Sequence, residues 1–164
     1  MSIARRLVAS AGGVSGEPFQ FTIQLASGQV FELPIVSYSG LEPNIIVDWG
    51  DTSSTAITSS TDVGKYHTYS SGGTYQISIS GFLPGFRVDN SSYRLLYRSV
   101  DNWGDVGIRT INFYGCANLN SIPGGAIGLN RVTLFNNTFR GTALTSIPSD
   151  LFQYASAAEQ FVDT

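Results

Sequence analysis

The chain has 164 residues, 42% hydrophobic and only 13% charged, which permits a sizeable core and excludes a disordered tail. Its net charge of −3 and single lysine, Lys65, exclude a nucleic-acid footprint, which needs clustered Lys and Arg to neutralise phosphates. One cysteine, Cys116, excludes an internal disulfide and a cysteine-built zinc site.

Residues 1–16 are small and Gly-rich and read as an N-terminal arm. Arg5 and Arg6 form the only basic pair, and Ala9-Ser10-Ala11 imitates a cleavage site. Only Leu7 and Val8 lie between them, whereas a secretory signal needs an apolar stretch of about 7–15 residues. No apolar run approaches the roughly 20 residues of a membrane span. The expectation is therefore no Sec signal, no lipid anchor and no membrane span.

From Pro18 the pattern becomes that of strands. Phe19, Phe21, Ile23 and Leu25 alternate with Gln20, Thr22 and Gln24, the period of a half-buried strand. Ser27-Gly28 turns the chain, and Val30, Phe31 and Leu33 continue it. Asn44 to Trp49 is an apolar run closed by Gly50-Asp51, and Thr55 to Thr58 is short and β-prone. After the turn at Ser71-Gly72-Gly73, Tyr75, Ile77 and Ile79 alternate with Gln76 and Ser78. Short strands with turns between them predict an antiparallel sandwich.

Beyond Asn90 the chain repeats itself. The segment F-Y-G-C-A-N-L-N-S-I-P from Phe113 to Pro123 returns as F-R-G-T-A-L-T-S-I-P from Phe139 to Pro148, one residue shorter. Phe135 and Thr138 recur at Phe161 and Thr164. The offset, about 26 residues, lies inside the 20–29 range of leucine-rich repeats. A third copy would be starting at Phe161, so the stack reads as unfinished. Ser149 as N-cap, with Leu151, Phe152, Tyr154, Ala155, Ala158 and Phe161, predicts the one helix.

Two resemblances rest on these residues. Asp48-Trp49-Gly50-Asp51, followed by His67-Thr68-Tyr69 and Gly73-Thr74-Tyr75, resembles the signature of PKD-like sandwiches. Thr52 departs from it, since a Gly usually follows that Asp. Trp103-Gly104 followed by F-Y-G-C-A-N-L-N-S-I-P is similar to the BspA-type leucine-rich repeats of microbial surface proteins. Both resemblances imply adhesion, display or assembly. The fold expected is mainly β, an antiparallel PKD/Ig-like β-sandwich over residues 17–90. A short leucine-rich-repeat-like segment with little helix follows over 91–164, incomplete at the C-terminus.

Few residues invite chemistry. Asp48, Asp51 and His67 could hold a cation or serve acid–base work, or Asp51 could cap a turn with His67 packed beside it. The PKD-like resemblance accounts for all three as structure. No G-x-S-x-G elbow accompanies the sole histidine. Gly124-Gly125-Ala126-Ile127-Gly128 lacks the Lys-Ser/Thr of a phosphate loop, and Cys116 fits a small buried hydrophobe. Trp103, Tyr93, Tyr97, Phe82 and Phe86 gather at the junction, either as glue or as a partner site.

The expectation is a protein that is not an enzyme, with no catalytic, cofactor-binding or metal residue. The expected role is that of a virion structural protein, such as a bacteriophage capsid decoration (cement) or tail component. Its partners would be other capsid or tail subunits and copies of itself, with Arg5, Arg6, Trp103 and Phe161 as contacts, and neither nucleic acid nor membrane. The alternative is a fragment of a bacterial cell-surface adhesin binding a host protein or glycan.

Overall fold

A computed structural model describes residues 16–89 and 91–162. In chain order the strands are β1 (Phe19–Leu25), β2 (Val30–Glu32), β3 (Ile35–Val36), β4 (Asn44–Asp48), β5 (Ser54–Ile57) and β6 (Tyr66–Thr68). They continue with β7 (Gly73–Phe82), β8 (Gly85–Arg87), β9 (Tyr97–Asn102), β10 (Thr110–Asn112), β11 (Leu134–Asn136) and β12 (Gln160–Val162). The described residues contain single 3-10 turns and no α-helix.

The first sheet has the order β5-β4-β7-β1-β9, every pair antiparallel. The strand alternation read from the sequence sets its inner face: Phe19, Phe21 and Ile23 of β1, Ile45 and Val47 of β4, and Ile77 and Ile79 of β7 are buried. The opposite face carries mainly hydroxyl and amide side chains, with Ile46 and Asp48 exposed among them. There Asp101 of β9 accepts hydrogen bonds from Thr22 Oγ1 at 2.7 Å and Gln76 Nε2 at 3.0 Å, tying three adjacent strands. A separate pair, β2 and β6, sets Phe31 opposite His67.

The second sheet, β12-β11-β10-β8-β3, is built differently. Strand β3 is antiparallel to β8, but β8, β10, β11 and β12 run parallel. Gly85, Thr110, Leu134 and Gln160 occupy equivalent positions, so successive rungs are about 25 residues apart, the pitch of a stacked coil. Backbone bonds continue the ladder ahead of each strand: Arg109 N–H donates to Pro84, Thr133 to Arg109 and Glu159 to Thr133. The repeated segments lie on adjacent coils. Phe113 N–H donates to Thr138 and Gly115 N–H to Arg140, and the rings of Phe113 and Phe139 stack with an interplanar angle of 6°. Cys116 N–H closes onto Phe113 as Thr142 N–H closes onto Phe139, the same turn in both copies.

One hydrophobic core joins the sheets. Phe86 of β8 packs on Phe19 at 5.1 Å, on Phe21 at 5.3 Å and on Phe113 at 5.6 Å between ring centroids. Full burial of each such ring is worth about 1.5–3 kcal/mol. The chain is thus mainly β, in sheets consistent with a sandwich.

Two expectations differ from this arrangement. Strands exchange across residue 90: β9, from beyond it, completes the first sheet, while β3 and β8, from before it, begin the second. Both exchanges bury aromatics, Tyr97 and Phe86, that contact rings from either side of residue 90. The helix expected after Ser149 is a correction. Residues 150–155 instead form consecutive tight turns, with Leu151 N–H donating to Pro148, Gln153 to Asp150 and Ala155 to Phe152. The chain must return within one coil pitch to pair β12 with β11, and the ladder bonds outweigh a short helix that is marginal by itself.

Candidate functional site

The acidic cluster singled out in the sequence assembles around the turn after β4. Gly50 takes φ +78° and Thr52 φ +76°, so Thr52 occupies a left-handed position that a β-branched side chain disfavours. That is the position where the resembled signature carries Gly. The turn is held from inside. Asp51 Oδ1 accepts from Ser53 N–H at 3.0 Å and from Ser53 Oγ at 2.5 Å, and Asp48 Oδ1 accepts from Gly50 N–H at 2.9 Å.

Strand β6 brings His67 to this turn. Its Nε2 donates to Asp51 Oδ2 at 2.7 Å, and its ring lies flat on Trp49, 4.7 Å between centroids with an interplanar angle of 6°. Tyr69 also contacts the imidazole, edge-on at 4.6 Å between centroids, and its hydroxyl donates to Trp49 O at 2.9 Å. Partial burial pushes the Asp51 carboxyl up, but the hydrogen bonds from Ser53 and His67 outweigh it and hold the pKa at about 2. Burial, with the nearby Asp51 charge, raises the Tyr69 phenol.

Both Asp51 oxygens are thus engaged within the fold, and His67 packs against two aromatic rings. Such an arrangement braces β4, β5 and β6. Asp48 is turned to its own backbone, not to this pair. Among the described residues no group of three or more His, Cys, Asp or Glu is placed to hold a metal ion.

The glycine run at 124–128 packs tightly. A Cβ on Gly124 would collide with the Asp150 carboxylate, and one on Gly128 with the backbone of Trp103 and Gly104. A carboxylate pressed on that loop repels phosphate. Cys116 is buried, and burial pushes its thiol up to about 12 despite Arg94, so it carries no thiolate at neutral pH.

The junction aromatics are interior. Trp103 is 2% exposed and its indole N–H donates to Pro123 O at 2.8 Å; Tyr97 and Phe86 are fully buried, and Tyr93 and Phe82 half-buried. Trp103 in this fold cements the coils to the first sheet and presents no face to a partner. Arg5 and Arg6 lie outside the described residues. Phe161 lies in β12, its backbone opposite Phe135.

Compared with known proteins, the chain matches no family model, no curated protein and no solved structure.

What the residue patterns alone did not flag is an asymmetry between the repeats. Ile122 is 8% exposed, but its counterpart Ile147 is 41% exposed. The first copy has a coil on either side: Val100 N–H donates to Ser121, and Ala143 N–H to Leu119. Among the described residues, β12 is the edge of its sheet. Leu134 and Tyr154, 37% and 44% exposed, belong to these last coils too. Only the motif's recurrence hinted at this, because stacking order decides which copy is covered.

Proposed function

We propose that this chain is a structural protein of a virion, a bacteriophage capsid decoration or tail component, acting through protein–protein contacts and not by catalysis. In this reading a PKD-like sandwich carries a short BspA-type leucine-rich coil. The observation that carries it is the unequal burial of Ile122 and Ile147 beside the edge strand β12. An exposed apolar coil of this kind is stabilised when further chain or another subunit covers it, and unpaired strand edges are ready templates for that. The Asp51–His67 pair supports the non-catalytic part, because both Asp51 oxygens accept hydrogen bonds within the fold and the His67 ring packs on Trp49.

The test is native mass spectrometry together with co-sedimentation on assembled bacteriophage particles. Oligomers or particle binding that Ile147→Glu abolishes would support the reading. A chain that remains monomeric and stays in the supernatant would sink it. The parallel coil also favours a second reading, a fragment of a cell-surface adhesin binding a host protein or glycan, since stacked coils present extended surfaces. Saturable binding to host cells, without particle binding, would select it.

A further inference from the structure

A cavity of about 190 Å³ opens among β2, β3, β8 and the segment before the 3-10 turn at Arg94–Leu96. It lies apart from the Asp51–His67 brace and from the last coil, and it does not depend on the function proposed above. Its floor is aliphatic, with Ile35 and Val88 buried there. Its rim gathers Glu32, Lys65, Arg87 and Tyr93, from four separate stretches of chain.

The rim is balanced in charge. Lys65 Nζ lies 3.0 Å from Glu32 Oε1, and Arg87 grips Asp89 through Nε and Nη2, both at 2.9 Å. Each cation is already neutralised by its carboxylate, which weakens the pull of the rim on a free inorganic anion or metal ion. Hydrogen-bonding capacity nevertheless remains. An ammonium has three N–H groups and a guanidinium five, and the contacts named use one and two of them. Glu32 receives both Lys65 and Tyr66 on Oε1, which leaves Oε2 as an acceptor. Tyr93 is set edge-on to Phe31, 6.1 Å between centroids, and lends the wall an aromatic surface.

Fixed donors and acceptors side by side suit neighbouring hydroxyl groups, each of which both donates and accepts. Charged partners make such bonds stronger than neutral ones. The aliphatic floor and the tyrosine suit the C–H face of a ring. The volume of about 190 Å³ is below the roughly 300–1,000 Å³ of drug-sized pockets and suits a single ring. We propose that this cavity binds one neutral sugar residue, oriented by Glu32, Lys65 and Arg87.

Saturation-transfer NMR on the full chain tests this, with methyl glycosides of glucose, galactose and N-acetylglucosamine as probes and glucuronate and glutamate as charged controls. At least one neutral glycoside should receive saturation, and more than either control. Arg87→Lys and Glu32→Gln should each weaken it about tenfold, the loss of one charge-assisted hydrogen bond. Ser91→Trp, at the cavity wall, fills the space without removing either ion pair and should abolish transfer while the melting temperature holds. No transfer to any glycoside, transfer that survives Ser91→Trp, or a preference for the charged controls would each overturn the proposal.

Discussion

The two sheets solve the same burial problem by different means. In the first, alternation along β1, β4 and β7 points apolar side chains inward, and local devices close the ends: the Asp51 turn, the His67 brace and Asp101 across three strands. In the second, three-residue strands have little alternation to offer, and each coil is covered by the coils beside it. An antiparallel sheet of this kind can finish itself. A parallel ladder leaves its last coil dependent on whatever comes next, which is why Ile122 and Ile147 differ despite sharing a motif.

The largest test of that contrast is at the seam. Phe86→Ala, which empties the contact between both sheets, should cost about 3–5 kcal/mol, or about 2–4 °C of melting temperature per kcal/mol for a chain of this size. Calorimetry should still show one transition. Two separate transitions in the parent protein would mean that the sheets unfold independently, and the shared core would lose its meaning.

Within the ladder, Ile122→Ala should cost about 2–4 kcal/mol, the loss from a buried aliphatic residue, and Ile147→Ala less than about 1 kcal/mol, as at exposed positions. Denaturant melts of the two variants measure the difference directly. Equal losses would show that the second copy is covered in solution, and a gap that closes at higher protein concentration would show that another copy covers it.

The first sheet makes a prediction in pH. Asp51 is held at about 2 in the folded chain, below the ordinary carboxyl value of about 3.9. A depressed carboxyl stabilises the fold fully above its unfolded pKa, and that stability is lost as pH falls through the folded value. The melting temperature of Asp51→Asn should therefore lie below that of the parent protein near neutral pH. The gap should narrow between about pH 4 and pH 2. A gap unchanged down to pH 2 would remove Asp51 from the brace.

The smallest effect is a gain. Thr52 sits at φ +76°, where glycine carries no side-chain penalty. Thr52→Gly should raise stability by about 0.5–1 kcal/mol, after allowing for the freer unfolded chain. Loss of stability on that change would mean that the Thr52 side chain makes a contact worth more than its backbone strain.

Much of this was legible in the residues. The alternation of Phe19 to Leu25 marks β1 at its observed bounds, and the run from Asn44 marks β4. The departure at Thr52 located the one β-branched residue in the left-handed turn. Spacing alone pairs Phe113 with Phe139, whose rings stack. Less legible were β8, β10 and β11. Three-residue strands such as Gly85–Arg87 carry no periodicity of their own and exist only because a neighbouring coil pairs with them. The turns after Ser149 are hidden for the same reason: apolar spacing favours a helix there, and the ladder register overrides it. The sugar-sized cavity left no trace in the residue order, since Glu32, Lys65, Arg87 and Tyr93 form no motif.

The residue order by itself determined the strands of the first sheet, the turn chemistry and the existence of a repeat, because period-2 burial, left-handed turns and recurrence are local properties of a chain. Only the tertiary structure decided that the fold exchanges strands across residue 90 and that Trp103 faces inward. It also decided which copy of the repeat lies open. Those outcomes depend on which surfaces meet, and burial belongs to the meeting of surfaces distant in sequence.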